Sequence, residues 1–200
     1  MDELESSCDD RLQCGEGPCD YDGDGAVDPA FYRPTTGFWF GVRANGQTVV
    51  LNANIGFVPG DIPVPADYKG DGKCDPGYMR PGVGPGGSNL WYSVPTGGGA
   101  VFQIYLGITG DIPVPADYDG DGKVDAAVFR PSNGLWIGAR TGASQLVLQL
   151  FLGQNADVPI PGDYDGNGAA DPAIYRPSSG MNPCGHIVDQ LAAGDQLSDH

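Results

Sequence analysis

Four aspartate-rich segments of nearly the same sequence recur along the chain. They read DYDGDGAVD, DYKGDGKCD, DYDGDGKVD and DYDGNGAAD, and they begin at Asp20, Asp67, Asp117 and Asp163. Their starts lie 47, 50 and 46 residues apart, and the sequences that flank them recur as well. A period of this length with repeated flanks predicts a repeat architecture in which each unit is one small piece of β-sheet.

The spacing of oxygen-bearing side chains within these segments indicates metal-binding loops. Loops one and three carry aspartate at positions 1, 3, 5 and 9, with glycine at positions 4 and 6. Such a donor set suits a hard cation that takes six to eight oxygen ligands, which is calcium. Loop four has Asn167 at position 5, which keeps the oxygen but loses one charge. Loop two has Lys69 at position 3, and its ammonium cannot ligate a metal but can replace part of the ion's charge. We therefore expect three calcium loops and a weak or empty loop two.

The chain is strongly acidic, with 26 aspartates and glutamates against 10 lysines and arginines and a formal net charge of −16. A nucleic-acid partner is not expected, because such proteins need a basic face that replaces the counterions of phosphates. No apolar stretch approaches the roughly 18–20 residues that a membrane span needs. Without bound cations the loops would repel one another, which predicts that metal stabilises the compact state.

The sequence of the third unit, residues 117–162, predicts short strands only. Residues 127–130, 135–140 and 146–152 are rich in β-formers and are separated by turns that contain Pro, Asn or Gly. Residues 157–161 are extended, and their two prolines place them at a sheet edge or between units. No helical period is present, which argues against the flanking helices of an EF-hand. We therefore predict an all-β fold of tandem blade-like repeats.

Other residues recur at fixed places in the units. An Arg-Pro pair follows every loop, and a tryptophan follows the next turn in the first three units; these are Arg33, Arg80, Arg130 and Arg176, and Trp39, Trp91 and Trp136. We expect each arginine to bind a carboxylate or carbonyl of an aspartate-rich loop. We expect the tryptophans to pack in the core or between blades, the alternative being a surface on which sugar rings stack.

The repeat pattern divides the chain into six parts. Residues 1–19 form a cysteine-containing segment, residues 20–66, 67–116 and 117–162 are three complete units, residues 163–180 are a partial unit, and residues 181–200 are a tail. A closed propeller needs about four to eight four-stranded blades. We therefore expect an open stack of blades, or an assembly in which copies join head to tail and so form filaments when the rotation does not close.

Five cysteines, Cys8, Cys14, Cys19, Cys74 and Cys184, leave the redox state open. An extracellular protein would form up to two disulfides and keep one thiol, whereas a cytosolic one would keep all five reduced. Weak calcium loops are useful only where calcium is millimolar, which favours the extracellular space or the cell surface. The N-terminus, MDELESS, has no basic and apolar signal region, so we expect a mature or partial form or another export route.

The loop pattern DxDGDGxxD, the strand that ends in Arg-Pro and the repeat length together resemble FG-GAP/VCBS repeats, the calcium-binding blades of integrin-α-like β-propellers. The resemblance covers about residues 20–180 and is most specific from Gly110 to Trp136. It implies that calcium is bound by the side chains at positions 1, 3, 5 and 9 and by the backbone carbonyl at position 7. These residues are Asp20, Asp22, Asp24, Ala26 and Asp28 in loop one; Asp67, Asp71, Lys73 and Asp75 in loop two; Asp117, Asp119, Asp121, Lys123 and Asp125 in loop three; and Asp163, Asp165, Asn167, Ala169 and Asp171 in loop four.

The favoured interpretation is an extracellular, non-enzymatic, calcium-binding structural or adhesive protein that self-assembles head to tail into a homo-oligomer or filament. One alternative is a calcium-dependent lectin or adhesin module that binds glycans between blades. The other is an accessory domain of a secreted enzyme. The only histidines, His186 and His200, lie in the tail, and no catalytic arrangement is indicated by the pattern.

Overall fold

The computed structural model describes residues 19–43, 49–56, 58–143 and 145–177. Within these ranges the chain is all-β, as predicted, with one short 3₁₀ turn at Pro85–Gly87 and no α-helix. The predicted N-terminal cysteine segment, except Cys19, lies outside the described residues. The end of the partial fourth unit and the predicted C-terminal tail also lie outside them.

The strands form four antiparallel sheets that follow one another along the chain and that we name blades one to four. In blades one to three each strand pairs with its neighbour in sequence, and over the described residues no sheet closes into a barrel. Blade one contains β1 (Ala30–Arg33), β2 (Phe38–Val42) and β3 (Val49–Asn54); blade two contains β4 (Ile62–Pro63), β5 (Gly77–Arg80), β6 (Ser88–Ser93) and β7 (Phe102–Ile108); blade three contains β8 (Ile112–Pro113), β9 (Ala126–Arg130), β10 (Leu135–Ala139) and β11 (Leu146–Phe151); blade four contains β12 (Val158–Pro159) and β13 (Ile174–Tyr175).

The turn that joins β9 to β10 shows why the strands are short. Pro131 follows β9 and has no N–H for the ladder. The chain then reverses, with the N–H of Gly134 donating to the carbonyl of Arg130 at 2.8 Å. Gly134 has a φ of 72°, and a Cβ at this position would collide with the carbonyl oxygen of Gly153. Only glycine therefore fits this turn.

The proline-containing segments lie at sheet edges, as predicted, and each pairs with the unit that follows it. Ile62 pairs with Met79, Ile112 with Phe129 and Val158 with Tyr175. A proline edge strand loses no ladder hydrogen bond on its solvent side. A structural blade therefore begins ahead of its aspartate-rich loop, and the loop connects the edge strand to the next strand.

The core lies between successive blades. Trp39, Trp91 and Trp136 are buried, which confirms their predicted packing role. The indole N–H of Trp136 donates to the carbonyl of Leu152 at 3.0 Å, so its polar atom is satisfied. Between blades two and three, Met79 and Trp91 pack in one cluster with Val128 and its neighbours. Each blade thus buries its apolar face against the next one.

Three of the four repeated arginines bind a different partner from the one that the sequence predicted. Arg130 Nε and Nη2 donate to the two carboxylate oxygens of Asp111 at 2.8 and 2.9 Å. Asp111 lies in the turn ahead of β8, outside the aspartate-rich loops. The pairs Arg80–Asp61 and Arg176–Asp157 have the same bidentate geometry. Two parallel charge-assisted hydrogen bonds fix the orientation of the planar guanidinium.

Candidate metal centres

The aspartate at position 1 organises each loop. In loop one, Asp20 Oδ1 accepts the N–H of Gly23 at 2.6 Å and Oδ2 accepts the N–H of Gly25 at 2.7 Å. Both glycines have positive φ, near 80°, which L-residues with a side chain rarely adopt. Loops two, three and four repeat this pair of bonds around Asp67, Asp117 and Asp163. The local sequence therefore dictates a tight, inward-curled loop.

Three of the four loops gather carboxylates at one point. Each group offers three ligand oxygens that lie within 4.8 Å of one another, from positions 1, 3 and 9. The groups are Asp20, Asp22 and Asp28; Asp117, Asp119 and Asp125; and Asp163, Asp165 and Asp171. Asp28 and Asp125 are buried, while the other four residues of the first and third loops are partly exposed. Each of these groups could hold a metal ion.

The aspartates predicted at position 5 in loops one and three, Asp24 and Asp121, lie outside these groups. Asp24 Oδ1 accepts the N–H of Ala26 at 2.9 Å, and Asp121 Oδ1 accepts the N–H of Lys123 at 3.0 Å. Asn167 in loop four uses its side-chain oxygen in the same way, accepting the N–H of Ala169 at 2.7 Å. In these three loops, the position-5 side chain thus fixes the backbone of the residue at position 7 by a hydrogen bond. The carbonyl of that residue is the predicted further ligand.

Loop two is built differently. Among the described residues, Asp67, Asp71 and Asp75 form no group of the kind found in the other loops. The ammonium of Lys69 instead lies 2.8 Å from Oδ2 of Asp71. Asp75 Oδ1 accepts the N–H of Thr96 at 2.6 Å, whereas its Oδ2 is buried and has no hydrogen-bond partner. The N–H of Lys73, at position 7, donates to Asp71 at 3.2 Å.

Two arginines that sequence reasoning missed lie beside position 3. Arg43 Nε is 2.9 Å from Oδ2 of Asp22, and Arg140 binds Oδ2 of Asp119. Each arginine comes directly after the second long strand of its blade. The available signal was that each arginine lies four residues after the repeated tryptophan, a position that Pro95 occupies in blade two. A cation of the chain therefore lies beside the position-3 site in loops one to three, and in loop two it is Lys69.

The electrostatic environment differs within one loop. Burial raises the pKa of Asp20, but the N–H groups of Gly25, Gly23 and the neighbouring residues outweigh it, so the pKa lies below its usual value. At position 9, burial raises the pKa of Asp125 to about 6, against the hydrogen bonds from Thr141 and Tyr118. Burial likewise raises the pKa of Asp75 to about 6. A dication beside such a carboxylate would favour its ionised form.

The loops stack on one another through a repeated backbone hydrogen bond. The N–H at position 8 donates to the position-1 carbonyl of the preceding loop: Cys74 to Asp20 at 2.7 Å, Val124 to Asp67 at 2.9 Å, and Ala170 to Asp117 at 2.6 Å. A disulfide between Cys19 and Cys74 adds a covalent link between loops one and two, with a Cα–Cα distance of 5.4 Å. Cys74 is therefore a covalent bridge between two units.

A cavity of about 510 Å³ lies beside the loops of blades two and three. Its lining includes Lys69, Lys123, Phe102, Gln103 and Thr141. Phe102 stacks on Tyr68 with the ring centroids 4.9 Å apart. The cavity therefore combines an aromatic wall with charged side chains that border the aspartate-rich loops.

In comparisons with family models, with curated proteins and with solved structures, the chain has no match. No helix in the described ranges is long and apolar enough to cross a membrane.

Proposed function

We propose that this chain is an extracellular, non-enzymatic, calcium-binding repeat protein of the FG-GAP/VCBS type, with a structural or adhesive role at or outside the cell surface. The observation that carries the proposal is the recurrence of one carboxylate group, from positions 1, 3 and 9, in loops one, three and four. A single acidic cluster is common on protein surfaces. Three clusters of the same construction, at the same place in three of the four blades, are best explained by a shared ligand.

Calcium is proposed because every donor is an oxygen. Carboxylates, an amide and backbone carbonyls suit a hard cation, whereas zinc and the softer metals prefer nitrogen and sulfur ligands. The charge of the chain supports a dication as well. At a net charge of −16 the loops repel one another, and each bound calcium removes two negative charges from this balance.

The proposed role of calcium is to hold the blades together. The three groups lie in loops that also make the backbone contacts between successive blades. A ligand that binds only the folded state, and whose free concentration is about 100 times its Kd, stabilises that state by about 2.7 kcal/mol per site. A chain built of short strands, with 33 glycines in 200 residues, gains much from such sites.

The extracellular assignment is supported by the Cys19–Cys74 disulfide, because disulfides persist in oxidising compartments and are rare in reducing ones. Calcium concentrations there are also high enough to fill weak loops.

The test is a calcium titration by isothermal calorimetry combined with thermal unfolding. We expect about three calcium ions per chain and a melting temperature that falls sharply when a chelator is added. Magnesium is the matched control, and it should bind more weakly because it demands a stricter geometry. A melting curve that does not change with excess chelator would refute the proposed role of calcium.

Calcium-dependent glycan binding is the second candidate, and the cavity beside loops two and three favours it. Its aromatic wall at Phe102 and its lysines at positions 69 and 123 offer the mixed surface that sugar rings bind. A glycan array in calcium and in chelator tests this candidate. Calcium-dependent binding that Phe102→Ala abolishes would support it, and an array without signal would exclude it.

A further inference from the structure

The two ends of the blade stack carry surfaces whose counterparts are buried inside the stack. At the first end, the head face consists of Val27, Phe31, Phe38 and Phe40. At the other end, the tail face consists of Tyr164 and Gly166 in loop four. The contacts between blades define what each face is built to bind.

The first internal contact joins position 8 of a loop to the position-2 tyrosine of the preceding loop. Val124 packs in one cluster with Tyr68, and both are almost fully buried, at 3% and 4% exposure. Cys74 packs in the cluster of Tyr21, and Ala170 packs against the cluster of Tyr118. This contact therefore occurs three times within the chain.

The second internal contact buries the first long strand of a blade against the blade before it. Val128 of β9 packs with Met79 and Trp91 of blade two. Tyr78 of β5 packs with Trp39 and Tyr21 of blade one. The residue at this position in β1 is Phe31, which lies opposite Phe40 in the register of β1 and β2.

The third internal contact places the position-7 side chain over the position-4 glycine of the preceding loop. A Cβ at Gly23 would lie 3.0 Å from Cε of Lys73, and one at Gly70 would lie 2.9 Å from Cγ of Lys123. At Gly166, by contrast, a Cβ would meet no heavy atom of the described residues within 4 Å. Within the part of the chain that the structure describes, loop four is thus open on the side that the other loops have covered.

Both end faces are exposed to a similar degree. Val27 is 47% and Phe31 54% exposed at the head, and Tyr164 is 45% exposed at the tail. The rings of Phe31, Phe38 and Phe40 form a stacked row, with centroids 5.2 and 5.5 Å apart, and Arg33 lies over it. An apolar aromatic surface of this kind marks an interaction site.

We propose that the head face of one copy of this chain docks on the tail face of a second copy, with Val27 packed on Tyr164 and the phenylalanine row beside it. In its loops, the contact repeats the packing of position 8 on the position-2 tyrosine that the chain already contains three times. It is heterologous, so each docked copy leaves one head and one tail open for the next. The inference rests on the structural role proposed above and names the partner.

The contact should strengthen with calcium. Val27 belongs to loop one and Tyr164 to loop four, and both loops contain a carboxylate group that could hold a cation. Docking brings two acidic loops together, and cations in them reduce the repulsion between the copies.

The test compares two end-blocked variants by sedimentation velocity in calcium. Phe31→Glu places a charge in the head face, and Tyr164→Ala removes the ring of the tail face. We expect the wild type to form oligomers whose mass rises with concentration, and each variant alone to stay monomeric. An equal mixture should form a one-to-one dimer, because one variant retains its tail face and the other retains its head face.

Val83→Glu is the matched control, since Val83 is as exposed as Phe31 but lies in a turn of blade two. It should assemble like the wild type. Adding Tyr164→Ala to wild-type oligomers should shorten them, because each added copy blocks one end.

A monomeric wild type in calcium would overturn the proposal. So would a dimer of Tyr164→Ala alone, since that result would mean that two head faces bind each other. Calorimetry on the same samples separates the two proposals: three bound calcium ions in a strictly monomeric protein would leave the proposed function standing and remove only the docking contact.

Discussion

The ammonium nitrogen of Lys69 lies 2.8 Å from Oδ2 of Asp71, so a cation of the chain itself occupies the third position of loop two. Loops one, three and four have an aspartate at this position, and in each of them it joins a carboxylate group that could hold a metal ion. The lysine pKa is raised by the hydrogen bond to Asp71, which keeps the ammonium charged. Loop two therefore keeps the same fold as the other three loops, with the Lys69 ammonium as its counterion.

Replacing this lysine by a ligand should create a fourth metal site. Lys69→Asp restores the pattern of loop three, and we expect the calcium stoichiometry measured by calorimetry to rise from three to four. Lys69→Met is the control, because it removes the cation without adding a ligand and should leave the stoichiometry at three. A Lys69→Asp protein that binds no additional calcium would contradict this view of loop two.

Arg140 should weaken calcium binding at loop three. Its guanidinium binds Oδ2 of Asp119 and so brings a positive charge next to the proposed ion. We expect Arg140→Gln to raise the calcium affinity of this site a few-fold at low ionic strength, and the gain should shrink in high salt. Arg140→Lys keeps the charge and serves as the control. A loss of affinity in Arg140→Gln would mean that the arginine orients Asp119 for the metal instead.

The ion pair between Arg130 and Asp111 should contribute strongly to stability. The Asp111 side chain is almost fully buried, so Arg130→Leu would leave a buried carboxylate without its partner. We expect the free energy of unfolding in urea to fall by about 3 kcal/mol. Arg33→Leu is the control, because Arg33 lies over phenylalanine rings, and it should cost much less. Equal losses in both variants would argue against the role of the buried carboxylate.

The disulfide between Cys19 and Cys74 should stabilise the junction of loops one and two. It closes a sequence separation of 55 residues, and cross-links of this kind typically contribute about 2–4 kcal/mol. We expect the double variant Cys19→Ser, Cys74→Ser to lose stability in this range in urea unfolding. Reduction of the wild type should give the same loss, whereas reduction of the double variant should have no further effect. An unchanged unfolding midpoint would show that backbone contacts alone hold the junction.

Between about pH 4 and 6, the stability of the metal-free protein should fall as pH rises, whereas its affinity for calcium should increase. The pKa of Asp125 rises from 3.8 to about 6 on folding, so the folded metal-free chain binds more protons than the unfolded one between these values. Its stability should therefore fall as pH rises from about 4 to 6. Asp20, whose pKa is lowered, contributes stability that is lost as pH falls through the acidic range.

Calcium affinity should increase over the same interval from pH 4 to 6, because the metal competes with the proton on Asp125. Asp125→Asn is the control: it removes this titration, and it should also weaken the third site. Melting temperatures measured in chelator and in calcium across this range check the prediction. A metal-free protein that becomes more stable between pH 4 and 6 would contradict it.

Much of the candidate site could be predicted from the sequence because it is local. Asp20 and the glycines at positions 4 and 6 lie within six residues, and their hydrogen bonds depend only on backbone conformation and side-chain reach. The short strands and buried tryptophans were likewise predicted from β-formers, turn residues and repetition. The predicted partner of the arginines was wrong, because Asp111 is 19 residues from Arg130 and is brought to it by sheet pairing.

The sequence by itself determined that the loops offer oxygen donors, how the loops curl and that the fold is all-β. It also determined that loop two differs from the others by Lys69 at position 3. Each of these features depends on residues a few positions apart. Only the tertiary structure decided which cysteine pairs with Cys74 and that Arg43 and Arg140 lie beside position 3. These relationships join residues about 20 to 55 positions apart, and their distances are set by how blades stack. The same stacking buries Tyr68 and leaves Tyr164 exposed, although both occupy position 2 of nearly identical loops.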